Sequence, residues 1–188
     1  MTNAVAEHCD TTPAPSVEAF LVRYGAVPEV ARFCSSSETM LTRGDSVVVE
    51  THRGLQLGTV LDRLKPANSR GAEEAESEFR IARAATVGDL ESARRHTDEC
   101  DDAFAVWCAR ILQWNLNLEL IDLEWTLDRQ KLILYVLCER GPDSTKLALQ
   151  AAAAGLGIIE VQPVSAAGLV QVESSSCGSG GGGCGCSH

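Results

Sequence analysis

Three thiols and an imidazole crowd the end of the chain, at Cys177, Cys184, Cys186 and His188. Thiolate and imidazole are the ligands that zinc and iron–sulfur centres take. The residues between them are mostly glycine, which lets a backbone wrap an ion but makes that ordering entropically costly. Their spacing, Cys-x6-Cys-x-Cys-x-His, matches no standard zinc finger. Two interpretations stay open: one zinc or iron–sulfur site held by these four side chains, and a disordered tail with incidental thiols.

Carboxylates form a second group, with Asp122, Glu124 and Asp128 close together around a predicted strand end. Asp122, Glu124 and Asp128 fall two and four residues apart, which on the outward face of one strand is compatible with paired carboxylates for acid–base chemistry. The favoured interpretation is simpler. We expect a solvated strand face, with Asp128 capping the turn that follows.

Cys100 and Cys108 lie near one face of a predicted helix, together with Phe104. A thiol pair can hold a cluster, but a free cysteine behaves as a small apolar side chain, so we expect core packing. The lone histidines His52 and His96 stand beside charged residues. Both are predicted to be surface groups.

The sequence contains neither a G-x-S-x-G nucleophile motif nor an H-E-x-x-H zinc motif. Its glycine run, residues 180–183, is not followed by the Lys-Ser/Thr of a phosphate-binding loop. No set of side chains converges on one reaction in the linear sequence. We therefore predict that the chain is not an enzyme.

Composition narrows the function classes further. The 188 residues include 16 basic and 26 acidic side chains, for a net charge of −10, which disfavours direct binding of nucleic acid by a basic face. No apolar window is long enough to enter a membrane, and residues 1–16 lack a signal-peptide pattern, which predicts a cytoplasmic protein. Thiols stay reduced in that compartment, so the eight cysteines are not assumed to form a disulfide framework.

The elements that position these residues fall into two folded parts. Residues 17–64 contain short strand patterns, the strongest at 46–51 and 55–61 around Gly54, and predict a small barrel-like β part. Residues 1–16 are expected to be a disordered arm. Residues 65–78 are expected to be an acidic linker.

Residues 79–173 predict an α+β layer in the order β-α-β-β-α-β, with the helices packed on a largely antiparallel sheet. A capping box at Thr86 and Asp89 begins the long helix, whose buried face is expected to include Trp107 and Ile111. A strand follows at 118–127, then a central strand at 132–138 and a helix capped by Asp143 or Ser144. Strands at 158–164 and 169–173 precede a Gly/Cys-rich tail, 174–188. In the strand 118–127 one face is predicted to hold Ile121, Leu123, Trp125 and Leu127.

Two stretches resemble one bacterial family, the YaaT-like proteins that carry the PSP-one (polymerase suppressor protein) C-terminal conserved region. Residues 44–60, GDSVVVETHRGLQLGTV, are similar to its GD-x-VVVET-x-RG-x-x-x-G-x-V segment. The second stretch runs from Ala103 and Phe104 through Cys108 to residues 122–132, which resemble its D-x-E-x-T-x-D-R-x-K-L hairpin. The likeness spans residues 22–164. The matching motif residues, expected to be structural, are Gly44, Asp45, Glu50, Arg53, Gly54, Gly58, Cys108, Asp122, Glu124, Asp128 and Lys131.

The chain departs from the family pattern in two places. Residues 140–147 read RGPDSTKL where the family usually reads R-V-D-F-R-E-L, and residues 174–188 have a different cysteine layout from longer relatives. The resemblance implies a cytoplasmic regulatory protein that assembles with small helical partners and influences ribonuclease-dependent mRNA processing or a phosphorelay. Some relatives hold iron–sulfur clusters.

Two functions from different classes follow. The first is a non-catalytic regulatory adaptor whose partners are proteins, such as small helical regulators or a ribonuclease. The alternative is a metal or iron–sulfur carrier, or redox sensor, that uses the C-terminal thiols and imidazole.

Overall fold

A computed structural model describes the chain over residues 18–35, 40–64, 79–138, 142–165 and 168–170. Five strands form a closed barrel in the order β1-β2-β5-β3-β4, in which neighbours are hydrogen-bonded. The barrel strands are β1 (Glu18–Tyr24), β2 (Glu29–Ser35), β3 (Ser46–Thr51), β4 (Gly54–Leu64) and β5 (Arg80–Ala84). The barrel-like part predicted for the N-terminal half is confirmed.

Alternation along the barrel strands points every second side chain inward, as a half-buried strand requires. Phe20, Val22 and Tyr24 of β1 meet Val47 and Val49 of β3 in one apolar cluster. Gly58 on β4 makes this closure possible, because a Cβ atom there would lie 2.6 Å from the Cγ1 atom of Val22. The motif glycine thus sets the spacing between β1 and β4.

Strand β5 differs from the expectation. It was predicted to begin the second layer, but it lies in the barrel, antiparallel to β3 and paired with β2 at Cys34 and Arg80. A curled sheet of four strands leaves two unpaired edges, and a fifth strand between them satisfies both sets of backbone groups. Its single buried side chain, Ile81, joins the barrel core.

Helix α1 (Val87–Gln113) carries the chain from the barrel to a second sheet. The predicted capping box is present: the Thr86 hydroxyl accepts from the Asp89 amide at 3.2 Å, and the Asp89 carboxylate accepts from the Thr86 amide at 2.7 Å. Trp107 and Ile111 are buried, as predicted. Trp114 is the C-cap of the helix, and Asn115 then takes a left-handed conformation with φ of 53°.

The second sheet has the order β6-β7-β8-β9. Its strands are β6 (Leu118–Trp125), β7 (Lys131–Cys138), β8 (Ile158–Ser165) and β9 (Gly168–Leu169). β6 and β7 are antiparallel, whereas β7 and β8 are parallel because helix α2 (Asp143–Ala153) returns the chain to the same end of the sheet. The molecule is therefore α+β, and its sheet is more mixed than expected.

Both helices contribute to the core on one face of this sheet. Trp107 and Ile111 of α1 and Leu147 and Ala151 of α2 belong to the same buried cluster as Leu134 at the centre of β7. Asp143 does not cap α2 as predicted. Its carboxylate instead accepts a hydrogen bond from the Asn117 amide at 2.9 Å, which joins the start of α2 to the start of β6.

The predicted inward face of β6 is wrong at its start. Pairing with β7 shifts between Leu120 and Asp122, and this bulge changes the alternation. Leu120 and Leu123 are buried as a result, whereas Ile121 is 44% exposed.

Several predicted segments lie outside the described residues: the arm at 1–16, the acidic linker at 65–78, residues 171–188 with the tail, and residues 139–141 at the departure from the family pattern. Within the described part of the chain, neither helix combines the length and apolar character that crossing a bilayer requires.

Candidate functional site

The barrel and the second sheet meet at a polar seam, which we define by Glu29, Arg53, Gln56, Glu124 and Tyr135. Glu124 of β6 is its centre. One carboxylate oxygen accepts from the side-chain amide of Gln56 at 2.8 Å, and the other accepts from the Ala26 amide at 3.0 Å and the Tyr135 hydroxyl at 2.5 Å. A single carboxylate therefore joins the β1–β2 turn, strand β4 and strand β7.

This arrangement corrects the prediction of a solvated carboxylate face. Glu124 is half-buried and accepts three hydrogen bonds, and Asp122 is half-buried as well. Two of the donors to Glu124 are 98 and 68 residues away in the chain. Strand alternation does not reveal such partners, because it describes only one strand.

The Tyr135 hydroxyl is held as a donor. Burial raises the pKa of Tyr135 far above its ordinary value, and the negative charge of Glu124 raises it further. Tyr135 is fully buried on the sheet face opposite the two helices, next to Val27 and Gly25 of the barrel turn. The hydroxyl therefore stays protonated and bound to Glu124.

Arg53 anchors the barrel side of the seam. Only 1% of its side chain is exposed, its guanidinium pairs with Glu29, and its Cζ atom lies 5.4 Å from the centre of the Tyr24 ring. Burial raises the pKa of Tyr24, and the charge of Glu29 adds to that rise. A buried guanidinium is tolerated only when its charge is matched, and Glu29 supplies the match.

The β3–β4 hairpin contacts the β6–β7 turn directly. Gly54 has a φ of 124°, and a Cβ atom there would lie 3.1 Å from the Cγ2 atom of Thr126. The Leu127 amide donates to the Leu55 carbonyl at 2.7 Å. Glycine at this position thus permits both the positive φ of the β3–β4 turn and the close approach of that hairpin to the β6–β7 turn.

A cavity of about 390 Å³, which we call the seam cavity, lies beside these bonds. The barrel, the first half of α1 and the end of β6 form its walls. The lining residues are Gly25, Ala26, Leu57, Ala93, His96, Thr97, Cys100, Asp101, Asp122, Leu123, Glu124, Trp125 and Leu127.

The seam cavity is acidic. Asp101, Asp122 and Glu124 line it. Burial raises the pKa of Asp122 above its ordinary value, although the carboxylate accepts a hydrogen bond from the Leu123 amide at 2.7 Å. Burial also raises the pKa of Cys100 to about 11, so this thiol stays protonated at neutral pH.

His96 was predicted to be a surface group, and this is wrong. The residue is only 9% exposed, and its Nδ1 atom is buried with no hydrogen-bond partner among the described residues. Burial lowers the pKa of His96, and the positive charge of Arg129 lowers it further, so the ring is neutral at pH 7. Its helical spacing of three from Ala93 and four to Cys100 was the available signal.

Other motif residues lie away from the seam cavity. Gly44 and Asp45 form the turn before β3, where the Asp45 carboxylate accepts from the Thr42 amide at 2.7 Å. Glu50 is exposed on β3. Asp128 is exposed in the β6–β7 turn and accepts from the Gln130 amide at 3.2 Å, which agrees with its predicted turn role.

The remaining candidates are the thiols and Lys131. Lys131 pairs with Glu160 at 2.6 Å, and Cys100 and Cys108 pack with the core between α1 and the sheet. Within the described ranges, no group of three His, Cys, Asp or Glu side chains has the geometry to hold a metal ion. The four predicted metal ligands of the tail, Cys177, Cys184, Cys186 and His188, lie outside those ranges.

Comparison with known proteins agrees with the motif resemblance. Residues 79–152, from just before β5 to the last turn of α2, match the family described as the PSP1 C-terminal conserved region. Residues 79–152 are thus similar to a PSP1 region, and the chain resembles YaaT-like proteins. It is 28% identical to the Stage 0 sporulation protein YaaT of Bacillus subtilis (strain 168) over 101 residues, which are 54% of this chain and 36% of that protein. The match thus spans little more than a third of the curated relative.

No solved structure matches the chain at a significant level. The PSP1 region includes barrel strand β5 as well as α1, β6, β7 and α2. It therefore crosses the seam and supplies both Glu124 and Tyr135.

Proposed function

We propose that this YaaT-like protein is a non-catalytic regulatory adaptor that acts through protein–protein contacts. Similarity to a sporulation protein supports a regulatory role in a cellular decision. The match of residues 79–152 to the PSP1 C-terminal conserved region supports the same resemblance. The proposal adds that this regulation occurs through binding of a protein partner.

The observation that carries this proposal is the engagement of the motif side chains in the seam. Glu124 accepts three hydrogen bonds, Arg53 is buried and paired with Glu29, and Gly54 packs against Thr126. Catalytic groups need access to a substrate, whereas these side chains hold two β parts in one orientation. Their role supports a rigid scaffold that presents surfaces.

Those surfaces suit a protein partner with a basic and apolar face. The net charge of −10 attracts a basic surface and speeds its encounter. Large apolar side chains are exposed on both helices, with Leu112 of α1 at 81% and Leu149 of α2 at 65%. Small helical regulators or a ribonuclease are the partner classes that the family resemblance suggests, so any effect on RNA or on a phosphorelay passes through the partner.

The test combines capture and reconstitution. The tagged full chain is crosslinked in the cell that produces it, captured proteins are purified, and their binding to the purified chain is measured. Leu112→Asp and Leu149→Asp are expected to weaken binding, and Val87→Asp, at an equally exposed apolar position at the start of α1, serves as the matched control. The proposal fails if no captured protein binds the purified chain.

The C-terminal thiols and imidazole keep the alternative function, a metal or iron–sulfur carrier or redox sensor, as a separate prediction. It concerns residues outside the described ranges and does not compete with the seam for any side chain.

A further inference from the structure

We propose that the seam cavity binds an organic cation, namely a primary ammonium or guanidinium group on a short apolar stem. The proposal deepens the adaptor function, because a lysine or arginine side chain of a partner carries this group. A free alkylamine carries the same chemistry. Only the first source depends on the adaptor function.

Charge is the first argument. Three carboxylates, those of Asp101, Asp122 and Glu124, line the seam cavity, and the described residues of its lining include no lysine or arginine. Of the two arginines whose charges act on His96, Arg129 pairs with Glu99 at 2.5 Å and Arg95 is exposed on α1. Carboxylates close together in a partly buried site repel one another, and a cation among them relieves that repulsion.

His96 is the second, independent argument. Buried polar atoms are nearly always hydrogen-bonded, yet the Nδ1 atom of this largely buried ring has no partner among the described residues. The ring is flanked in the cavity lining by Thr97, Cys100 and Asp101. A hydrogen-bond donor of a ligand that reaches this nitrogen would supply the missing partner.

Shape and wall chemistry favour an organic cation. A cavity of about 390 Å³ lies within the usual range for small-ligand sites, roughly 300–1,000 Å³. Leu57, Trp125 and Leu127 supply apolar walls for an alkyl stem. The Trp125 ring already attracts a guanidinium, because the Cζ atom of Arg129 lies 5.2 Å from its centre. The described residues offer no three-ligand metal set, which separates this site from a metal site.

Calorimetric titration of the full chain tests the proposal. The probes are n-butylammonium and n-butylguanidinium, and n-butanol is the neutral control of similar shape. Saturable binding of either cation, without binding of the alcohol, is expected. Binding should weaken as salt concentration rises, because ions screen the carboxylates.

Two neighbouring aspartates provide a matched pair of variants. Asp101 lines the seam cavity, whereas Asp102 is the next residue on the same helix and does not, and both are exposed. Asp101→Asn is expected to weaken cation binding about two- to fivefold, the usual effect of a partly exposed ion pair, and Asp102→Asn to leave it unchanged. Asp122→Asn keeps the oxygen that accepts from Leu123 and is expected to weaken binding about tenfold, since that carboxylate is more buried.

The source of the cation is tested with peptides. Acetyl-Gly-Gly-Lys-Gly-Gly-amide is compared with the same peptide carrying norleucine in place of lysine. Tighter binding of the lysine peptide than of n-butylammonium assigns the site to a protein side chain, and the reverse order assigns it to a free amine. The proposal is overturned if neither cation binds, if n-butanol binds as well, or if Asp101→Asn and Asp102→Asn behave alike.

Failure here is distinguishable from failure of the adaptor function. Partner capture tests the whole surface and needs no cation, whereas the titration needs no partner. A captured partner whose binding is unaffected by Asp122→Asn would keep the adaptor and overturn a lysine or arginine occupant of the seam cavity.

Discussion

Replacing Glu124 by alanine is expected to loosen the joint between the barrel and the sheet. The change removes the acceptor of three hydrogen bonds, two of which come from the buried side chains of Gln56 and Tyr135. Leaving a buried group without its partner costs about 1–3 kcal/mol. For two such groups the free energy of unfolding should fall by about 2–6 kcal/mol. The third donor, the Ala26 amide, is exposed and adds little because water replaces the carboxylate.

Urea denaturation, followed by circular dichroism and tryptophan fluorescence, measures this change. The control is Glu119→Ala, which removes an exposed carboxylate from the same strand and should change stability by less than about 0.5 kcal/mol. Tyr135→Phe should cost about 2 kcal/mol, since it removes one hydrogen bond to a charged group. In a double-mutant cycle Glu124→Ala and Tyr135→Phe should be strongly non-additive. A loss below about 1 kcal/mol for Glu124→Ala, or additive costs in the cycle, would refute the seam as a stabilising joint.

Three further predictions concern the helix, its cap and the tail. Trp107→Ala should lower the free energy of unfolding by about 3–5 kcal/mol, and a loss below about 1 kcal/mol would mean that this ring faces a partner. The Arg83 guanidinium and then the Thr86 hydroxyl lower the pKa of Asp89. The stabilisation by this carboxylate is therefore present above about pH 4, the ordinary carboxyl range, and is lost as the pH falls below it. In Asp89→Asn the urea midpoint should depend less on pH in that acidic range. Deleting residues 174–188 should abolish zinc or iron in anaerobically purified protein with little change in the melting temperature, and equal metal content in both forms would contradict the tail site.

Local patterns predicted the regular elements well because local physics decides them. The capping box at Thr86 and the burial of Trp107 follow from hydrogen bonding and spacing within one helix. Strand β3 and the hairpin to β4 follow from alternation around a glycine turn. Each signal needs only residues a few positions apart.

What sequence reasoning missed depends on distant residues. β5 joins the barrel because two unpaired edges elsewhere in the chain accept it. The bulge near Ile121 arises from register with β7, and the bonds of Glu124 arise from the packing of the barrel on the sheet. His96 was misjudged because its charged neighbours point away from the seam, while the ring itself turns inward.

The position of the seam explains why the PSP1 region contains strands of both β parts. Its first strand, β5, completes the barrel, while β6 and β7 provide Glu124 and Tyr135 to hold that barrel in place. The matching barrel residues lie outside the PSP1 region, in residues 44–60, and include Arg53 and Gly54. Each segment lacks its bonding partners when taken alone, since Gln56 and Glu124 come from different segments. The two motifs therefore describe one structural unit, and a substitution in either segment should weaken the packing of the other.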